Sequence, residues 1–245
     1  MIEVRNLIKN YDDVKAVQSI DFKIDHGEVV GFLGANGAGK STTLKILTGY
    51  LTPTSGDVTI DGLNIQKDSH EIKKIVGYLP ESNPLYHEMY VYDLLKFTAN
   101  TRYIYGQEFK NSLDRVVDQC GLKEVVHKKV GECSKGFKQR VGLACAMIHN
   151  PKILILDEPV TGLDPNQIIE IRQLIKKLGK EKLVLMSSHI LQEIEATVNR
   201  IIIIDHGKIV ADGTTKKLMN QFTGNIKLSI EVVGLTDTKL AKFKN

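Results

Sequence analysis

The stretch Gly34-Ala35-Asn36-Gly37-Ala38-Gly39-Lys40-Ser41 satisfies the pattern G-x-x-x-x-G-K-[ST], and its surroundings decide the fold. Before it, Glu28–Leu33 reads as a short buried strand. After it, Ser41–Thr48 reads as a helix, with Leu44 and Leu47 one turn apart and Gly49 as its stop. Strand, glycine-rich loop and helix is the setting in which this pattern cradles phosphate. The residue types suit a concentrated negative charge. Glycines let the backbone curl with its N–H groups inward, and the helix adds its positive end. In that reading Lys40 reaches the β- and γ-phosphates of a nucleotide, the Ser41 hydroxyl holds Mg²⁺, and Thr42 bonds an α-phosphate oxygen.

A chain of 245 residues can bury a full core, and its net charge of +4 is mild. Its lysines are spread over many segments, including Lys176-Lys177 and Lys216-Lys217. They read as solvated faces rather than as a contact with nucleic acid or anionic lipid. Cys120, Cys133 and Cys145 are odd in number and lack C-x-x-C spacing, which argues against a disulfide framework. The N-terminus does not resemble a signal peptide, and no apolar run approaches a membrane span. A cytoplasmic location is expected, with any membrane-spanning work left to a separate chain.

Elsewhere strands and helices alternate. Ile2–Leu7 and Ala16–Lys23 read as strands flanking a polar turn, Lys9–Asp13. Tyr11 sits in that turn, either packing on its own hairpin or stacking on a flat base. Asp57–Ile60 is a strand ending in the turn Asp61-Gly62, and Ile75–Leu79 is another, stopped by Pro80, with Glu81 at the mouth of a loop. From Tyr90 to Ile148 the periodicity becomes helical. Phe109, Leu113, Val116, Val117 and Cys120 share one face, as do Val141, Ala144, Cys145 and Ile148, so both helix cysteines read as core residues.

Ile153–Leu156 is fully apolar, as a central parallel strand should be, and runs into Asp157-Glu158-Pro159. Asp164-Pro165 opens a helix carrying Ile168, Ile171, Ile175 and Leu178. Lys182–Ser187 is the next strand, ending at Ser188-His189, and Ile201–Ile204 with Lys208–Asp212 form a hairpin around His206-Gly207. This order predicts an open, mostly parallel α/β sheet. Ile226–Val233 reads as a last strand without an evident partner.

An apolar strand ending in aspartate, downstream of a P-loop, is the second element of phosphoryl-transfer chemistry. Asp157 is expected to hold Mg²⁺ through water, opposite Ser41. Neighbours along a strand point to opposite sides, which frees Glu158 to face an attacking water as general base, a role worth roughly 10²–10⁴-fold. His189 ends the following strand, where ligands gather on such sheets. It is either a structural histidine or a group that bonds the γ-phosphate and senses its loss.

The stretch Cys133-Ser134-Lys135-Gly136-Phe137-Lys138-Gln139-Arg140 resembles the signature Leu-Ser-Gly-Gly-Gln of ATP-binding-cassette (ABC) transporter nucleotide-binding domains. It lies 94 residues beyond Lys40 (134 − 40) and just ahead of the Asp157 strand, as in that family. Cys133, Lys135 and Phe137 replace the family's leucine, first glycine and glutamine; the serine and second glycine, which touch phosphate, remain. The resemblance covers nearly the whole chain. Under it Tyr11 stacks on adenine, Asp164 belongs to the loop that crosses to a partner subunit, and His189 is the switch histidine. Glu81 stands where the family usually has a glutamine that reaches Mg²⁺ and water. Tyr78-Leu79-Pro80-Glu81 resembles a subgroup of exporter ATPases that includes gliding-motility and sodium or multidrug systems.

The fold so implied is an α/β P-loop NTPase with an ABC-type core sheet, an N-terminal antiparallel β subdomain and an inserted α-helical subdomain at about 85–148. A nucleotide-binding domain would span 1–220, and 221–245 would begin a small C-terminal extension. The implied function is an ATP-binding and hydrolysing subunit of a transporter. Two copies, or one copy and a homologous ATPase, close head-to-tail around two MgATP, each offering Ser134 and Gly136 to the other's nucleotide. The pair would sit on the inner face of the membrane through transmembrane permease subunits, with no nucleic acid involved. Two other readings are a soluble ABC-type ATPase acting on nucleic acid or ribosomes, and a regulatory cassette that binds ATP without hydrolysing it. The single compact cassette argues against the first, Glu158 and His189 against the second.

Overall fold

A computed structural model describes residues 1–222, the side chains of 219–222 excepted. The predicted Ile226–Val233 strand lies outside the described residues. Ten strands form two sheets among them. In chain order they are β1 Ile2–Tyr11, β2 Val14–Ile24, β3 Val29–Leu33, β4 Ser55–Ile60, β5 Leu63–Asn64, β6 Val76–Leu79, β7 Ile153–Leu156, β8 Leu183–Ser188, β9 Arg200–Asp205 and β10 Lys208–Thr214. The helices are α1 Lys40–Leu47, α2 Ser69–Ile75, α3 Val91–Asn100, α4 Gly106–Cys120, α5 Lys135–Met147, α6 Pro165–Leu178, α7 Leu191–Ile194 and α8 Thr215–Phe222.

The first sheet is antiparallel, in the order β2-β1-β4-β5. The second runs β10-β9-β3-β8-β7-β6, parallel from β9 to β6 with β10 antiparallel at its edge. The parallel sheet is the middle layer, and alternation along its strands separates two cores. Ile153 and Ile155 of β7 face the antiparallel sheet and α1. Leu154 and Leu156 face α3, α4, α5 and α6. All four are fully buried, each worth roughly 1.5–3 kcal/mol relative to exposure. This two-sided burial explains why β7 lacks polar alternation. Cys120 is buried in the helical core, and Cys145 packs against it half-buried.

Three local expectations need correction. The turn between β1 and β2 is Asp12-Asp13 alone, because backbone pairing persists to Tyr11 opposite Val14; Tyr11 therefore ends a strand. Ile75 closes a helix rather than opening a strand. Helix α2 buries only Ile72, so it leaves no apolar stripe in the sequence. Asp157 and Glu158 lie beyond the end of β7, so strand alternation is not what separates them.

Candidate active site

The C-terminal ends of β3, β7 and β8 meet at the start of α1. Gly39 caps that helix at φ 109°, a left-handed geometry open to glycine, and a Cβ there would stand 2.5 Å from the Ala16 carbonyl. No side chain caps α1, so its first N–H groups are left to a ligand. Lys40 is buried. Its Nζ donates to the carbonyls of Gly34 at 2.8 Å and Ala35 at 3.2 Å, and lies 3.4 Å from Glu158 Oε1. The loop has thus gathered its cation with its own backbone.

Beside it, Ser41 Oγ donates to Asp157 Oδ1 at 3.1 Å, and Ser187 Oγ donates to the same oxygen at 2.7 Å. A hydroxyl and a carboxylate are hard oxygen donors of the kind Mg²⁺ prefers. Their direct contact shows that both can reach one small cation, so Ser41 and Asp157 fit that ion. No cluster of three or more His, Cys, Asp or Glu side chains offers another metal site among the described residues.

Glu158 has φ 49°, an unusual backbone for a residue with a Cβ, at a cost of about 1–3 kcal/mol. This turn, not strand alternation, directs it away from Asp157. Its N–H donates to Ser187 Oγ at 2.9 Å. Its Oε2 accepts from Thr161 Oγ1 at 2.9 Å and lies 3.0 Å from His189 Nδ1. Both oxygens of this buried carboxylate therefore have partners, with Lys40 on one and Thr161 and His189 on the other.

A cavity of about 250 Å³ opens over this cluster, lined by Ala16, Asn36, Gly37, Gly39, Lys40, Ser41, Thr42, Glu81 and Glu158. Glu81 is exposed at its rim. Gly34 and Ala35 act behind the cavity through their carbonyls, and the buried Ala38 accepts from the Gly207 N–H at 2.9 Å. Tyr11 is not among the lining residues; it is 41% exposed, with Lys9 Nζ 5.1 Å from its ring centroid. Ser134, Gly136 and Asp164 do not line it either. Ser134 caps α5, accepting from the Phe137 N–H at 3.3 Å, and Asp164 caps α6, accepting from the Gln167 N–H at 2.9 Å.

A second cavity, of about 480 Å³, shares Glu81 and Glu158 with the first and extends past Asp157 to Lys138 and Gln139 of α5. Burial pushes the Tyr78 phenol on its wall well above its ordinary pKa, and the Asp157 charge adds to this. Sequence reasoning missed Ser187, Thr161 and Ala16. Ser187 had a usable signal. Leu156 pairs with Met186, so the next residues along these parallel strands, Asp157 and Ser187, stand level.

A sequence model of the ABC transporter family matches residues 17–161, which include the P-loop, Ser134 and the Asp157-Glu158 pair. The bacitracin transport ATP-binding protein BcrA of Bacillus licheniformis is 41% identical over 214 residues, spanning 86% of this chain and 69% of that protein. Among solved structures, CbiO1 of Clostridium perfringens, part of the ABC transporter complex CbiONQ, superposes with a TM-score of 0.82. It is 28% identical, over 90% of this chain and 91% of that one. A dimeric ATP-binding cassette in a post-hydrolysis state with ADP and Pi superposes with a TM-score of 0.79 at 26% identity, over 88% and 99% of the two chains. Taken with the P-loop over its cavity and the Asp157-Glu158 pair beside it, these matches place the chain in the ABC transporter family, as one of its ATP-binding subunits.

Proposed function

We propose that this ATPase works as one half of a head-to-tail pair that closes around two MgATP and powers separate permease subunits in the export direction. One observation carries the reading. Lys40, Ser41, Asp157, Glu158 and His189 converge within one chain, while Ser134 opens to solvent outside their cavity. A phosphate in the cavity thus has one face supplied by this chain and one left for another. The Tyr78-Leu79-Pro80-Glu81 resemblance and the bacitracin-transport relative support export. No helix among the described residues is long and apolar enough to cross a membrane; in this reading the chain works from the inner membrane face through separate permease subunits. The cassette is assigned to 1–220, with its helical part at about 85–148.

On binding ATP, Lys40 exchanges the Gly34 and Ala35 carbonyls for the β- and γ-phosphate oxygens, and the N–H groups of the loop from Asn36 to Thr42 close on the phosphates. Ser41 would hold Mg²⁺, with Asp157 reaching it through water and Glu81 from the rim, and the ion would offset phosphate charge. The departure of Lys40 frees Glu158 Oε1 to take a proton from the attacking water, while Oε2 keeps Thr161 and His189. His189 bonds the γ-phosphate, Tyr11 stacks on adenine, and Asp164 meets the partner. The partner's copies of Ser134 and Gly136 complete the γ-phosphate site. Hydrolysis removes that shared ligand and reopens the pair, a motion that α3, α4 and the Glu81 loop pass to the permease.

The test is Glu158→Gln. Turnover should fall by roughly 10²–10⁴-fold with ATP binding retained. Turnover within a few-fold of the parent chain would remove Glu158 as the base.

A further inference from the structure

We propose that Gln139 is a positioning residue for Glu158, tying the helix that caps the partner's nucleotide to the base of its own chain. The inference rests on the reading of Glu158 as base and of Ser134 as acting across the pair.

Glu158 is a difficult residue to hold. It sits at φ 49° immediately before Pro159, and a residue preceding proline is ordinarily pushed towards extended backbone. Such a conformation persists only where its surroundings over-determine it. Three ties do so here. The Glu158 N–H donates to Ser187 Oγ at 2.9 Å. The Glu158 carbonyl accepts from the Thr161 N–H at 3.2 Å. The next carbonyl, that of Pro159, accepts from Gln139 Nε2 at 2.9 Å.

The third tie comes from α5, the helix whose first turn carries Ser134 and Gly136. Gln139 lies on its second turn. A second bond links the same stretch of helix to the Glu81 loop, where Asn83 Nδ2 donates to the Lys138 carbonyl at 3.1 Å. Gly142, one turn on, makes room for Asn83; a Cβ there would stand 2.3 Å from the Asn83 amide. A hydrogen-bonded helix moves as a rod over so short a span. A shift of its N-terminus against a partner's phosphate therefore reaches the Pro159 carbonyl through one side chain. Pro159 has a fixed φ, so rotation of the peptide unit beside it is passed back to Glu158. Occupancy of one ATP site is in this way felt by the base of the other.

Differently tagged full-length chains in mixed pairs test this. Gln139→Leu removes the donor and keeps much of the volume. In the reference pair, a parent chain is joined to a Glu158→Gln chain. In the first arm, a Gln139→Leu chain is joined to a Glu158→Gln chain, so the sole intact base belongs to the chain lacking the tie. In the second arm, one chain carries both substitutions and its partner neither, so the intact base keeps its tie while its nucleotide is capped by the altered helix. The first arm should turn over about tenfold more slowly than the reference, and the second within about twofold of it. The Gln139→Leu homodimer should show the same fall in kcat with little change in KM for ATP. A general disturbance of α5 would slow the second arm instead. That pattern, or a first arm and a homodimer equal to their controls, overturns the inference. Parent-like turnover by the doubly Glu158→Gln pair would overturn the reading of Glu158 and the inference with it. A dead Glu158→Gln pair beside an unaffected Gln139→Leu chain would overturn the inference alone.

Discussion

Helix α1 starts at Gly39 in the left-handed region, uncapped by any side chain, with Lys40 folded back onto the loop carbonyls and Glu158. Helix α5 starts at Ser134 in extended backbone, its hydroxyl already spent on the Phe137 N–H, and Ser134 is open to solvent. Both are helix N-termini with glycine nearby, and both carry the partial positive charge that favours an anion. They differ in what surrounds them. Around α1 the chain supplies a cation, a magnesium-type oxygen pair, a second buried carboxylate and a cavity. Around α5 it supplies a surface. A phosphate site is therefore built almost whole at one end of the molecule and only offered at the other.

The most severe way to test this contrast is at the built site. Lys40→Ala removes the proposed phosphate ligand and leaves Glu158 buried without its cationic partner. ATPase turnover should fall by more than about 10²-fold, and nucleotide binding to the isolated chain should weaken. Retained binding to the monomer would show that the two N-termini are more alike than their surroundings suggest. Ser134→Ala probes the offered site. Nucleotide binding by the single chain should be unchanged while turnover of the pair drops about tenfold; the lost cap should cost the helix only about 1 kcal/mol. Weakened binding by the monomer would place Ser134 in its own chain's site.

The smallest effect on turnover belongs to the far end of α5, which serves as a control. His149 lies just beyond that helix, with Nε2 3.1 Å from the Val76 carbonyl. Burial, with the nearby Arg102 charge acting in the same direction, lowers its pKa to about 4. The unfolded chain therefore takes up a proton below about pH 6.5 that the folded chain refuses until about pH 4. Stability is lost as the pH falls through this window, by roughly 1.4 kcal/mol per unit. His149→Gln keeps a donor for Val76 and should flatten that part of the pH–stability curve, with turnover at neutral pH nearly unchanged. An unaltered slope in denaturant titrations would contradict the assignment.

The contrast between the two N-termini was partly legible in the sequence, because each is a contiguous pattern. The P-loop, the apolar run into Asp157-Glu158 and the cap at Ser134 are all local. What lay out of reach depends on register and on backbone partners. Ser187 reaches Asp157 only because β8 pairs with β7 in one particular register, and Gln139 meets a carbonyl, which carries no side-chain signal. The left-handed turn at Glu158 was hidden for the same reason: it is held by contacts from β8, α5 and Thr161. Helix α2 left no stripe because only Ile72 is buried. The extension of β1 to Tyr11 is set by pairing with β2, against the polar composition of the segment.

The central claim is that a terminal phosphate is shared by two chains. Its most direct measurement is the sedimentation of the full-length Glu158→Gln chain, alone and with its proposed membrane partner, in saturating MgATP and without nucleotide. The account predicts a monomer without nucleotide and a dimer with MgATP, abolished by adding Ser134→Ala. A chain that stays monomeric in MgATP under both conditions would contradict it.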